Sequence, residues 1–393
     1  MKRIEGGICA VSGVRAAGVR RGRYGLAVIA ASGAAAGMFT TNRVQAAPLQ
    51  VTAQHLAEGR LDGVIANSGC ANAYTGQRGL EDARAMARLL AGHLGADERR
   101  IAVASTGVIG RYLDLPLIAE LFEQAKSNLR SDASASVEAE RAIMTTDTRV
   151  KEIAVEHEGL RVAGIVKGAG MIEPNVATML CFLYTDAALP APALKECLAG
   201  AVKDSFNMLT VDGDTSTNDT VLLTATGKVR PAKVEHFGEA LRYVCMELAR
   251  MMARDGEGAS KYFETVVTGA RSEEDARRAA KAVARSCLVK TAVYGADPNW
   301  GRIICAVGYC GAEMDPDTIT LGLEGRNKSG ELLSVPLVER GRIVDGVLDS
   351  AREIMKGDAI VINIDLALGT ASARSFGCDL THEYVNVNAN YTT

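Results

Sequence analysis

The chain has 393 residues, enough for one large or two medium domains with a substantial core. Apolar residues make up 48%, there are 40 glycines, and the net charge is −3. This composition excludes a disordered chain, and the absence of a long Lys/Arg run excludes a nucleic-acid or membrane-surface track. Nine cysteines without CxxC or CxxxH spacing, and five histidines without partners at ligand spacing, argue against a metal site and fit a reducing, cytoplasmic compartment. No stretch approaches the ~20 apolar residues of a membrane span.

The run GLAVIAASGAAAGMF from Gly25 reads as a buried strand followed by a turn, because Gly33 and Gly37 interrupt it. GVIAN (63–67) and IAVAS (101–105) lack polar alternation and read as strands buried on both faces. Between them a glycine-containing turn leads to an amphipathic helix over about 80–94, with Ala83, Met86, Ala87, Leu90 and Leu94 on one face. A helix through Leu117, Leu121 and Ala125 follows the dipeptide Thr106-Gly107. After the polar turn MTTDT, strands at 150–155 and from Val162 form a hairpin.

The central stretch is KGAGMIEPNVATML, from Lys167 to Leu180. A glycine hinge (Gly168, Gly170) precedes Pro174, which fixes its own φ and pushes Glu173 towards an extended conformation. The chain is thereby steered into an apolar strand that starts at or near Thr178. Downstream come a helix with Leu194, Leu198 and Val202, the polar loop TVDGDTSTND, and a strand from Val221. A strong helix face follows (Phe237, Leu241, Val244, Cys245, Leu248, Met252), ending at the turn DGEGA. Further strands are expected at 265–268, 318–323 and 359–366, with a Ser272/Asp275 capping box between the first two. RIICAVGYC is expected as a buried strand after the turn at 297–301, and EYVNVNANYT as a terminal alternating strand. The two halves read as lobes of one α/β body with strands inside and helices outside.

Thr178 has two readings. It is a β-branched residue opening a strand, or it is a nucleophile freed by breaking the Ala177–Thr178 bond, so that hydroxyl and α-amine share one residue and the amine serves as base. Acyl chemistry also needs oxyanion donors and groups that hold substrate. Thr106-Gly107, at the mouth of a buried strand, offers a hydroxyl and a glycine N–H. Lys167 offers a cation, Glu257 a carboxylate in a tight turn, the run TTDT from Thr145 to Thr148 hydroxyls, and Asn388 and Thr393 polar groups at the chain end. Each also has the bland reading of a solvated turn residue. KGAG lacks P-loop spacing, and neither GxGxxG nor GxSxG is present.

GMFTTNRVQAAP, ANSGCANA, ASTGVIG, MTTDT, KGAGMIEPNVATML, TVDGDTSTND, DGEGASK, GADPNWGRI and YVNVNANYTT together resemble the ornithine acetyltransferase (glutamate N-acetyltransferase) family of arginine biosynthesis, over essentially the whole chain. The resemblance implies an αββα, N-terminal-nucleophile-type fold. It also implies self-cleavage between Ala177 and Thr178 into an α chain, 1–177, and a β chain, 178–393, intertwined as one body and assembled as α2β2. Thr178 would carry the acetyl group from N²-acetylornithine to glutamate, with Thr106 and Gly107 as oxyanion hole. Thr145, Lys167, Thr178, Glu257, Asn388 and Thr393 would contact substrate. No cofactor or metal is implied, and acetyl-CoA stays open as a co-substrate. The rivals are a self-processed aminopeptidase or amidohydrolase of the same broad fold, and a non-catalytic amino-acid-binding protein.

Overall fold

A computed structural model describes residues 1–173, 179–229 and 233–390. The chain forms two compact units. The first comprises residues 1–207 and 214–248, the second 208–213 and the described residues from 249 onwards.

The elements are, in order, β1 (Lys2–Ile4), β2 (Arg15–Arg21), β3 (Tyr24–Phe39), α1 (Ala47–His55), β4 (Arg60–Ser68), α2 (Gly76–Leu94), β5 (Ile101–Ser105), α3 (Leu115–Ser127), α4 (Ala133–Ile143), β6 (Glu152–His157) and β7 (Leu160–Lys167). They continue with β8 (Leu180–Ala187), α5 (Ala191–Asp204), β9 (Leu209–Thr210), β10 (Thr220–Val229), α6 (Val234–Arg254), β11 (Tyr262–Ala270), α7 (Glu273–Arg285), α8 (Cys287–Tyr294) and α9 (Trp300–Tyr309). The last are β12 (Thr320–Arg326), β13 (Leu332–Glu339), β14 (Arg342–Ile343), α10 (Leu348–Met355), β15 (Ala359–Asp365), β16 (Ala371–Cys378) and α11 (His382–Asn390).

The first unit is built on a mixed sheet in the order β1-β6-β7-β8-β10-β3-β4-β5, with β2 paired to β3. β8 is buried along its whole length, so its continuous apolar pattern suits a central strand. Phe182 and Tyr184 on it are almost fully buried, each worth about 2–3 kcal/mol of apolar burial. The expected hairpin of β6 and β7 is present, with Val155 opposite Val162. The second unit carries the sheet β14-β13-β12-β15-β11-β16-β9. Ser272 caps α7 as expected: Asp275 N–H donates to Ser272 Oγ at 3.1 Å, and Ser272 Oγ donates back to Asp275 at 2.6 Å.

Three expectations are corrected. The run from Gly25 is one strand of 16 residues, without a turn. Gly33 is absorbed by a register shift against β4 between Ala30 and Gly33, and Gly37 pairs in regular register with Leu222. RIICAVGYC is the helix α9. Asn299 caps it by accepting from Arg302 N–H at 3.3 Å, and Ile303, Ala306 and Val307 bury one face at helical spacing. The terminal EYVNVNAN is the helix α11. Thr381 Oγ1 accepts from Glu383 and Tyr384 N–H at 3.1 and 3.3 Å, which starts a helix where side-chain alternation suggested a strand.

Candidate active site

In the first unit, β5 ends at Ser105, and Thr106 N–H donates to Asn67 O at 3.0 Å, which holds the turn against the end of β4. Gly107 follows with φ +131°, open to glycine and strained for other residues. A Cβ there would be driven into the Gly69 carbonyl carbon and lie 2.6 Å from Cys70 N. Thr106-Gly107 thus sits flush against the Gly69-Cys70 backbone.

Two buried asparagines fix this joint. Asn67 Nδ2 donates to Cys70 O at 2.9 Å, and its Oδ1 accepts from Ser105 Oγ at 2.6 Å. Asn218 Nδ2 donates to Ala71 O at 2.6 Å and to Ser105 O at 2.9 Å. The carbonyls flanking the Thr106 turn are therefore held by side chains from ANSGCANA and TVDGDTSTND.

Lys167 closes β7 and is 8% exposed. Its Nζ donates to Thr106 Oγ1 at 3.1 Å and to Thr145 Oγ1 at 3.0 Å. Three residues expected from distant parts of the sequence are thus brought together around one ammonium group. Beneath them lies Asp147, whose side chain has no exposed surface. It accepts from Gly168 N–H at 2.6 Å and Thr145 N–H at 3.0 Å, and pairs with Lys151 Nζ at 2.8 Å. Burial alone would raise its pKa, but the charges of Lys167 and Lys151 overcome this and hold it down at about 2. Lys151 N–H in turn donates to the carboxylate of Glu140 on α4. Burial pushes Glu140 well above the usual carboxylate range.

The chain on both sides of residues 174–178 is anchored in the first unit. Ile172 bridges Thr215, Glu173 N–H donates to Asp214 O at 2.8 Å, and Thr215 Oγ1 donates to Glu173 O at 2.8 Å. On the far side, Leu180 pairs with Lys167 in the β7–β8 register, and Thr220 N–H donates to Met179 O at 2.8 Å. Ala177, Thr178 and Thr393 lie outside the described residues.

Glu257 and Asn388 meet within the second unit. Asn388 Nδ2 donates to Glu257 Oε2 at 2.8 Å. Thr381 Oγ1 donates to Gly258 O at 2.6 Å, so the cap of α11 also seats the helix on the DGEGA turn. Asn67, Asn218, Asp147, Lys151 and Glu140 were not legible as site residues. The motifs containing the first three stand out in sequence, but nothing local shows that these polar side chains are buried.

In this α/β scaffold a shielded cation shared by two threonine hydroxyls stands beside a Thr-Gly turn, an arrangement suited to stabilising negative charge that develops on a carbonyl oxygen. The ArgJ family model matches residues 11–393. The chain is 52% identical over 400 aligned residues to a glutamate N-acetyltransferase of Methanosarcina mazei, covering all of both chains. It is 49% identical to the arginine biosynthesis bifunctional protein ArgJ of Archaeoglobus fulgidus, covering 98% of this chain and 99% of that one. A solved ArgJ from Bacillus halodurans is 39% identical over 53% of this chain and 98% of that chain, with a TM-score of 0.49. The chain belongs to the ArgJ family and is an acetyltransferase.

Proposed function

We propose that the chain cleaves itself between Ala177 and Thr178 and then carries acetyl groups from N²-acetylornithine to glutamate on Thr178. The observation that carries this reading is the Lys167 ammonium, shared by Thr106 and Thr145 and opposite Leu180, two residues beyond Thr178 in the chain.

In the first reaction Thr178 Oγ attacks the Ala177 carbonyl, and the acyl group shifts from nitrogen to oxygen. Water then hydrolyses the ester, releasing the Ala177 carboxylate and the Thr178 amine. In the second, Thr178 Oγ attacks the acetyl carbonyl of N²-acetylornithine. The free α-amine takes the hydroxyl proton and passes it to the departing ornithine nitrogen. The Thr106 hydroxyl, which accepts from Lys167, and the Gly107 N–H stabilise the oxyanion, and the nearby Lys167 charge favours both the oxyanion and the neutral, basic form of the Thr178 amine. Glutamate's amine then takes the acetyl group and regenerates the hydroxyl. Glu257 and Asn388 hold polar groups of the amino acid.

The reading uses no bound cofactor or metal, and acetyl-CoA enters only as an alternative donor. The enzyme works in the cytoplasm as an α2β2 assembly. Among the described residues no helix is long and apolar enough to cross a membrane.

The test is a denaturing gel with intact mass on the wild type and Thr178→Ala, beside an acetyl-transfer assay. The expected result is two wild-type pieces whose masses sum to the chain plus one water, an intact variant, and acetylglutamate formed without net acetate. An uncut, active wild type contradicts the mechanism, and stoichiometric acetate favours a hydrolase. The same assay with acetyl-CoA in place of acetylornithine decides whether that donor is used.

A further inference from the structure

Asp147 sits in the MTTDT turn and touches three chain positions at once. Its carboxylate takes the backbone N–H groups of Thr145 and Gly168, one on each side of the Lys167 ammonium, and the ammonium of Lys151. Thr145 supplies one of the two hydroxyls that hold Lys167, and Gly168 directly follows Lys167. The Lys151 side chain is 1% exposed, and its Nζ also donates to Arg149 O at 3.3 Å. Its carbonyl accepts from Val166 N–H at 3.0 Å, next to Lys167. A carboxylate without solvent contact is rare unless its position is needed, because desolvating it costs several kcal/mol before any pairing.

We propose that Asp147, paired with Lys151, is a positioning residue of the acyl-transfer site: it fixes the Thr145 and Gly168 backbone around Lys167 and supplies the buried anion that keeps this ammonium at Thr106 Oγ1. The proposal rests on the acyl-transfer reading of Thr106 and Lys167. With Asp147 ionised, the group of Asp147, Lys151 and Lys167 carries one net positive charge, delivered at the Thr-Gly turn. Replacing the carboxylate by an amide takes this anion away from both buried cations and disfavours their charged forms. One then loses its proton or moves towards water. Among the described residues the charged side chains that act on Asp147 are Lys167 on β7 and Lys151 before β6; Glu140 on α4 interacts with both Asp147 and Lys151, and Glu152 on β6 faces Glu140.

A double-variant cycle separates this role from a purely structural one. The variants are Asp147→Asn, Lys151→Met and the pair together, with the wild type alongside. Self-cleavage is followed on a gel, transfer from N²-acetylornithine to glutamate by kcat/KM across pH, and folding by circular dichroism. Asp147→Asn keeps the volume and one acceptor oxygen. It is expected to slow cleavage and to lower kcat/KM on the order of 10²-fold, with the alkaline limb of the pH profile moved to lower pH as the ammonium loses its anion. Adding Lys151→Met removes the surplus charge and is expected to recover on the order of tenfold.

A folded Asp147→Asn with wild-type cleavage, transfer and pH profile overturns the proposal and leaves the acyl-transfer reading standing. A double variant slower than Asp147→Asn also overturns it, since two independent structural losses would add. Should Asp147→Asn alone not fold, the charge-balanced pair is compared with Lys151→Met. A slower pair supports the proposal and equal rates overturn it. An uncut wild type overturns the underlying reading and the proposal with it.

Discussion

Lys167 stands opposite Leu180 at the end of the β7–β8 ladder, so a cation is held beside the start of the strand that follows Ala177 and Thr178. β8 pairs antiparallel with β7 on one edge and parallel with β10 on the other, and β10 pairs with β3. A cut before residue 178 leaves β8 and β10 in the second piece, inserted between β7 and β3 of the first. The pieces therefore share one sheet and its core. They are expected to co-elute under native conditions and to separate only as the β signal in circular dichroism is lost. Separation in mild conditions with secondary structure retained contradicts this arrangement.

Gly107→Ala places a methyl against the Gly69-Cys70 backbone at a φ that costs an L residue about 1–3 kcal/mol. The turn has to move, and its N–H leaves the position proposed for the oxyanion donor. Transfer is expected to fall on the order of 10²–10³-fold in kcat, with the melting temperature lowered by a few degrees. Steady-state kinetics check it, and a fall below about threefold argues against an oxyanion role at this turn.

Asn218→Ala removes the donors to Ala71 O and Ser105 O. Each carbonyl stranded without a partner costs about 1–3 kcal/mol. The folded state is expected to lose about 2–4 kcal/mol in urea titration, and kcat is expected to fall because the Thr106 turn loosens. Unchanged stability with unchanged kcat contradicts the clamp.

Glu140 gives a pH signature of stability. Burial raises its pKa in the folded chain well above its ordinary 4.5, and its Oε2 has no hydrogen-bond partner among the described residues. Folding therefore favours the protonated acid. That contribution is complete below pH 4.5 and is lost as pH rises through the raised folded value. Glu140→Gln keeps an acceptor for Lys151 N–H and cannot ionise. Its melting temperature is expected to gain on the wild type as pH rises from 4.5 towards the raised folded value. A constant difference across that range shows that Glu140 is not held as the buried acid.

Strands β4, β5 and β8 of the first sheet were legible because runs such as GVIAN and MLCFLYTD are apolar without alternation. α9 and α11 were not. Their β-branched and aromatic residues mimic strands, and the caps that decide the matter, Asn299 and Thr381, act through bonds that periodicity does not show. At the site, Thr106, Lys167 and the TTDT hydroxyls were weak candidates among other polar turn residues until the resemblance singled out Thr106, Thr145 and Lys167. The structure adds that one ammonium binds both hydroxyls. Asp147 escaped notice because a carboxylate in a polar turn is ordinarily solvated. Only the packing of α4, β6 and β7 shows it to be buried. The proposed cleavage also does not follow the compact units, because 214–248 belongs with the first of them.

The most direct test of the central claim is mass spectrometry of the purified protein mixed with N²-acetylornithine in the absence of glutamate. The account predicts a fragment beginning at Thr178 that gains one acetyl group on Thr178, with one equivalent of ornithine released, and that loses the group when glutamate is added. An acetyl group on another residue, or transfer by a chain that remains uncut, contradicts it.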